Sequence, residues 1–413
     1  MSLLTKPELG PDTLTSRPYQ VDGFNRVRRE FGGGKRSTLV IWGTGLGKTI
    51  LISKICRSCV EKGGRALVIV HRDTLAEQTL QKLNRVGIEA GLEMASSYAR
   101  SLFEPDVVVA SVQSLQKKRL ESFAADYFKL MIFDEAHHCT APTYRNIIRH
   151  FQKAKYLGVT ATPDRADEDS LADIFESVAH EMGMIEGMVA PAPGPYLSRL
   201  DIFRLDLGID LRGLRRTEED FNLAELEERL LPLIEPLANK TREKIGDRPT
   251  LIFTPDVGSA TGAATAFQNL GMRADWVSGD CRNKLERIER FKNGDTQILC
   301  NCNLISEGVD IEQVQAIGLW TPTKSRSRMA QQIGRGTRLA AGKLNCLILD
   351  MANLTDQHSL VRPEDLFDTM GTHPEVLAMM TASIDKASKS GQSLDLLEVV
   401  EKSQKEHTER EVI

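Results

Sequence analysis

Short runs of β-branched and aliphatic residues recur through the first half of the chain, at 38–42, 66–70, 107–110, 130–133 and 155–159, with stretches of helical apolar spacing between them. Four or five apolar residues in a row leave no polar face for solvent, so such strands belong in a parallel sheet covered by helices on both sides. A second series at 250–253, 273–277, 297–300, 316–320 and 345–349 repeats the rhythm. The pattern predicts an α/β protein of two lobes, each a mostly parallel sheet flanked by helices. Between them, 188–195 is rich in proline and small residues, and 221–233 reads as a helix with Leu223, Leu226 and Leu230 near one face, which together make a hinge and connector. Beyond about residue 383 the chain turns polar, and Leu394, Leu396, Leu397, Val399 and Val400 are left to form a small apolar face. The expected division is a first lobe at 1–185, a connector at 186–245, a second lobe at 246–355, and a helical or partly disordered extension at 356–413 that offers itself to a protein partner.

Composition narrows the class without deciding it. With 413 residues, 41% hydrophobic and 27% charged, the chain has the make-up of a globular protein with a sizeable core. Fifty-three Lys and Arg against 57 Asp and Glu exclude a uniformly basic coat, so any polyanion site must be local. Seven cysteines, an odd number without disulfide-framework spacing, point to a reducing interior and a cytoplasmic protein. The apolar runs fall far short of the roughly 18 residues of a membrane span, so no membrane partner is expected.

Two segments carry chemistry. Trp42-Gly43-Thr44-Gly45-Leu46-Gly47-Lys48-Thr49 follows an apolar run and opens a helix expected over 49–60. Alternating glycines let backbone N–H groups turn toward phosphate oxygens, Lys48 adds a point charge near the outer phosphates, and the Thr49 hydroxyl can reach Mg²⁺. The strict phosphate-loop pattern wants glycine where Trp42 stands. Asp134-Glu135-Ala136-His137 closes the run at 130–133 and supplies what that loop lacks. Asp134 can hold the metal through its water shell while Glu135 orients or deprotonates the attacking water. The pair of segments predicts hydrolysis of a nucleoside triphosphate, with ATP and Mg²⁺ as cofactors. His137-His138-Cys139 is too contiguous to surround a metal, and Cys56 and Cys59 read as a buried structural pair within a helix.

With these motifs in order, the chain resembles the superfamily-2 helicases of the DEAD/DEAH group from near residue 17 to about 350. Its pattern is most similar to the group of XPB-type repair helicases, phage UvsW-type helicases and the motor subunits of type I restriction enzymes. The resemblance implies two tandem RecA-like domains with the ATP site in the interdomain cleft. Arg17-Pro18-Tyr19-Gln20 resembles the adenine-reading segment, with Arg17 and Gln20 at the nucleotide and Gln20 the base contact. His71 and Arg72 resemble motif Ia, Ser111 and Gln113 a later strand-gripping motif, and Thr254 belongs to a match to motif IV; these residues are implied to touch nucleic acid. Thr160-Ala161-Thr162 resembles motif III, so that Thr160, Thr162, His137 and Gln331 are implied to couple hydrolysis to nucleic-acid binding. Gly308 and Asp310 lie in the match to motif V and are implied at the nucleotide.

Gln331-Gln332-Ile333-Gly334-Arg335-Gly336-Thr337-Arg338 resembles motif VI. Arg335 and Arg338, spaced to share one helix face, are implied to be the arginines that stabilise charge on the transferred phosphoryl group. The basic run at 321–328 either lines the entry to the cleft or is solvated. By resemblance the substrate is DNA in preference to RNA, duplex or branched, although these motifs grip phosphates and read no bases. A duplex translocase, an RNA helicase, and an ATP-switched clamp serving a partner protein are the rival readings.

Overall fold

The computed structural model describes residues 15–71, 73–94, 97–99, 104–161, 171–205, 223–279, 281–302, 311–351, 361–367 and 373–411. The chain divides into two compact units, Met1–Met182 and Gly183–Ile413. Each is built on a seven-stranded sheet.

In the first unit β1 (Ser37–Trp42), β2 (Ala66–Val70), β3 (Ala90–Glu93), β4 (Val107–Ser111), β5 (Leu130–Asp134), β6 (Lys155–Thr160) and β7 (Val178–Met182) lie in the order β3-β4-β2-β5-β6-β1-β7. All the neighbouring pairs run parallel. The apolar runs expected at 38–42, 66–70, 107–110, 130–133 and 155–159 fall on β1, β2, β4, β5 and β6. Both faces of these strands are covered. One face buries Leu39, Ile41, Leu67, Ile69, Val108, Met131 and Phe133 against Phe123, Phe128, Phe151 and Phe175. Sheet order matters for function, because β5, β6 and β1 are consecutive neighbours and ligands of open parallel sheets sit at the carboxyl ends of such strands.

The second unit begins with β8 (Arg199–Arg204) and continues through β9 (Thr250–Thr254), β10 (Ala274–Ser278), β11 (Ile298–Cys302), β12 (Ala316–Leu319), β13 (Asn345–Asp350) and β14 (Leu394–Asp395). The order is β10-β11-β9-β12-β13-β8-β14, parallel throughout except that β14 runs antiparallel to β8. Residues read from sequence as connector therefore supply a strand of this sheet, and the tail supplies another. Helices Pro374–Lys389 and Leu396–Glu411 pack on each other and on β8.

One guanidinium ties this side of the unit together. Arg204, at the end of β8 and 3% exposed, pairs with Asp350 at the end of β13, with Glu364 in the short helix Pro363–Phe367, and with Asp385 of Pro374–Lys389 at 2.5 Å. Thr381 donates a further bond to Glu364 at 3.0 Å. Three carboxylates share a single positive charge, and burial pushes the Glu364 carboxyl up even with Arg204 beside it. Removing the cation strands the anions in the core, the costly direction for a buried ion pair. Arg204→Met is expected to destabilise the second unit by about 3–5 kcal/mol, measured by urea unfolding. Without the guanidinium the Glu364 pKa in the folded state rises further, so the folded variant holds a proton that the unfolded chain has released. The deficit therefore shrinks as pH falls through that window; a deficit that grows on acidification would contradict the assignment.

Candidate nucleotide site

The site grows from the end of β1. Gly45 and Gly47 take positive φ, 89° and 79°, which L side chains rarely adopt, and the helix Lys48–Glu61 starts directly after Gly47. The turn is closed from within by Leu46 N–H donating to Gly43 O at 3.2 Å and held to the sheet by Gly43 N–H donating to Met182 O at 2.9 Å. Among the described residues, the N–H groups of Thr44, Gly45 and Gly47 donate to no backbone acceptor. From behind, the Leu46 carbonyl accepts from Tyr19 Oη at 2.5 Å and Gln20 Nε2 at 3.0 Å. Gln20 Oε1 in turn accepts from Arg17 N–H at 2.9 Å. A side chain at Gly47 would place its Cβ 2.6 Å from Gln20 Nε2, so the helix Pro18–Gly32 backs directly onto the loop.

Trp42 explains its own departure from the glycine pattern. Its side chain is fully buried and packs edge-on against Tyr19, ring centroids 5.2 Å apart. The indole Nε1 donates to His180 Nδ1 at 2.9 Å on β7, and His180 Nε2 lies 3.5 Å from Asp22. Burial holds the His180 pKa down, in keeping with a neutral ring whose Nδ1 accepts. A Cβ at Gly23 would meet the indole at 2.6 Å. The tryptophan thus fills the space between helix and sheet while the loop carries on past it.

β5 brings the acidic pair to the same edge. Glu135 has φ 54°, a left-handed conformation unusual for a residue with a Cβ, and its N–H donates to Asp134 Oδ1 at 3.1 Å. Backbone held there stores strain of order 1–3 kcal/mol and is found where a side chain must be aimed. Here Glu135 Oε1 lies 3.9 Å from Lys48 Nζ and Oε2 3.6 Å from His137 Nδ1. His137 Nδ1 is also 3.1 Å from the hydroxyl of Thr160, the last residue of β6. Burial first, then the neighbouring Glu135, push the Asp134 carboxyl above its usual range, against the pull of Lys48. Two buried oxygens, Thr44 Oγ1 and Glu135 Oε2, have no hydrogen-bond partner among the described residues. Loop N–H groups without a backbone acceptor, a lysine, a carboxylate pair and unsatisfied oxygens fit a phosphate chain with a hard cation.

Beyond His137 the imidazoles continue. His138 lies 4.1 Å from the His137 ring and stacks on His71, at the end of β2, at 4.0 Å and 18°. His71 Nδ1 is 3.4 Å from Tyr144 Oη. Gln113 is exposed after β4, whereas Ser111 is buried and its Oγ accepts from Ser114 N–H at 3.1 Å.

In the second unit the helix Arg326–Ile333, N-capped by Ser325, carries Gln331 and stops at Gly334. Arg335 and Arg338 therefore sit in the turn beyond it and share no helix face, a correction to the spacing argument. The turn packs closely on the sheet: a Cβ at Gly336 would fall 2.5 Å from Cys346 Sγ on β13. Lys343 Nζ donates to the carbonyls of Gly336 at 2.6 Å and Arg338 at 2.8 Å, which fixes the turn. Arg335 is buried, and burial lowers the Arg338 pKa. Thr254 is buried with its hydroxyl bonded to the Asp256 and Asn301 carbonyls at 3.2 and 3.3 Å. Arg72, Thr162, Gly308 and Asp310 lie outside the described residues.

Tandem parallel sheets and a glycine loop facing a strand-end carboxylate pair define a phosphate-loop NTPase with two RecA-like domains. Residues 13–165 match the family described as type III restriction enzyme, res subunit, and residues 228–340 match the helicase conserved C-terminal domain. The chain belongs to the superfamily-2 helicases, in the group of the restriction-enzyme motors. It is 31% identical over 358 residues to the Saccharomyces cerevisiae protein named ATP-dependent helicase IRC3, covering 81% of this chain and 51% of that protein. It is 32% identical over 370 residues to a Schizosaccharomyces pombe protein named mitochondrial ATP-dependent helicase irc3, covering 84% of this chain and 59% of that one. The chain thus spans 51–59% of the length of these curated relatives. Its fold is similar to a fragment of an HsdR subunit of a type I restriction enzyme from Vibrio vulnificus YJ016, with TM-score 0.65 at 22% identity, covering 84% of this chain and 66% of that one.

Trp42→Ala, which removes the indole between helix and sheet, is expected to destabilise the first unit by about 3–5 kcal/mol, read by urea unfolding of the full chain. A change under about 1 kcal/mol would contradict the wedge role.

Proposed function

We propose that the chain is an ATP-dependent DNA helicase that unwinds or remodels duplex or branched DNA. The observation that carries this reading is the convergence, at the ends of β1, β5 and β6, of Lys48, the Asp134–Glu135 pair and the His137–Thr160 contact. The N–H groups of the 43–49 loop would hold the outer phosphates, Lys48 would offset their charge, and Thr49 and Asp134 would hold Mg²⁺. Bound MgATP supplies the phosphoanhydride bond whose hydrolysis drives the cycle. Glu135 takes the proton of the attacking water, and its left-handed backbone keeps it aimed between Lys48 and His137. Arg17 and Gln20 are the proposed contacts to the base end of the nucleotide. Arg335 and Arg338 supply the guanidinium groups that stabilise charge on the transferred group, and Gly308 and Asp310 complete the nucleotide contacts.

His71, Arg72, Ser111, Gln113 and Thr254 are proposed contacts to the nucleic-acid backbone. The imidazole stack from His71 through His138 to His137 supports a coupling role for His137 and for Thr160, which it touches, since it joins the proposed backbone contact to the group beside Glu135; Thr162 and Gln331 are proposed to share that role. All seven cysteines are free, which supports work in a reducing compartment. Among the described residues no helix is long and apolar enough to cross a membrane. The polar surface of the C-terminal helix pair is the proposed place for a protein partner.

Three outcomes test the reading. Glu135→Gln is expected to retain ATP and DNA binding while turnover falls about 10²–10⁴-fold; normal turnover would remove Glu135 as the base. Arg335→Ala should slow turnover by at least about a hundredfold with ATP binding largely intact, and unchanged turnover would reassign that arginine. ATPase activity measured with single-stranded, duplex and forked DNA and with RNA at one fixed salt is expected to rise most with DNA, because salt shifts every such affinity. Stimulation by RNA alone would overturn the substrate assignment.

A further inference from the structure

We propose that His373, Glu375 and His407 form a site for one divalent transition-metal ion of the Zn²⁺ class, stapling the two C-terminal helices together. The site is remote in sequence from every motif used above, and nothing in the nucleotide chemistry requires it. His373 is the N-cap residue of helix Pro374–Lys389, Glu375 lies in its first turn, and His407 projects from helix Leu396–Glu411. One ligand atom from each side chain falls within 4.8 Å of the others. His407 Nε2 and Glu375 Oε2 are 3.7 Å apart, and the two imidazole rings lie 4.6 Å apart at 37°.

Two imidazoles and a carboxylate are a borderline-soft donor set that suits Zn²⁺ better than Mg²⁺, with water left to complete a tetrahedron. Bonds near 2.0–2.1 Å put tetrahedral ligand atoms roughly 3.3 Å apart. The His407–Glu375 pair is already close to that spacing. His407 is largely buried and acts as the fixed anchor, while His373 and Glu375 are exposed and can close by side-chain rotation. Electrostatics permit the charge: the positive first turn of one helix lies beside the negative last turns of the other, and the Glu375 carboxylate offsets part of the ion's charge.

One hydrogen bond competes. His373 Nδ1 accepts from Glu375 N–H at 3.3 Å, a long bond that a metal at that nitrogen would displace. Occupation would therefore exchange a weak cap for a cross-link between helices that both rest on β8.

The test titrates the full chain with Zn²⁺ by calorimetry, with millimolar Mg²⁺ present to fill hard-oxygen sites, and records the visible spectrum with Co²⁺ as the probe. His373→Asn removes the imidazole while keeping a good N-cap residue, and Glu375→Gln removes the charge while keeping the shape. The wild type is expected to take up one Zn²⁺, to gain unfolding temperature on doing so, and to show an intense four-coordinate Co²⁺ band. Loss of an outer-shell partner alone weakens metal sites 10–100-fold, so each variant should bind at least about tenfold more weakly and lose the thermal gain. No uptake by the wild type, or wild-type affinity in either variant, overturns the site.

Discussion

The first unit depends on a division of labour around a single carbonyl. A loop can offer its N–H groups to a ligand only if its own acceptors are satisfied elsewhere, since buried backbone polar groups left unpaired are costly. Here the Leu46 oxygen takes two donors, Tyr19 and Gln20, from the helix Pro18–Gly32. The loop is held through that carbonyl, Gly45 and Gly47 supply the left-handed turns, and the N–H groups of Thr44, Gly45 and Gly47 donate to no backbone acceptor among the described residues. Trp42 wedges the same helix against the sheet and sets the distance at which Tyr19 can reach. The segment proposed to meet the nucleotide base is thus a brace for the glycine loop, so the position of Gln20 and the shape of the loop are mechanically linked.

The acidic half of the site follows a similar logic. A strand can deliver a carboxylate to the sheet edge, but aiming the next one requires a sharp change of direction, which Glu135 makes with a left-handed backbone. Lys48 Nζ and His137 Nδ1 then lie 3.9 and 3.6 Å from its two carboxylate oxygens, and the ring also touches Thr160 of β6. Asp134 and Thr160 are carried by strand ends, and the strands are carried by apolar packing on the sheet.

Much of this was legible in the residues. Runs such as 66–70 and 107–110 have no polar position to expose, so burial on both faces and parallel pairing follow directly. β3 escaped notice because Ala90, Gly91, Leu92 and Glu93 contain no β-branched residue, and β8 because its polar Arg199 and Asp201 alternate with apolar neighbours as in a surface segment. β14 is too short to leave a pattern. In the site, the two motifs were enough to expect Lys48 and the 134–135 pair at one place, and the structure brings Lys48 Nζ to 3.9 Å from Glu135 Oε1. The wedge made by Trp42 could not be expected in this way, because its partners His180 and Gly23 are distant in sequence and the deviation looked like a weakness in the motif. The helix face expected for Arg335 and Arg338 does not form because the helix ends at Gly334, and the turn that follows packs Gly336 against Cys346.

The most direct measurement of the central claim is backbone amide hydrogen exchange of the full chain, with and without Mg²⁺ and a non-hydrolysable ATP analogue. If the N–H groups of the loop receive the phosphates, the amides of 43–49 gain strong protection on nucleotide binding. Saturating nucleotide binding that leaves exchange in that segment unchanged would contradict it.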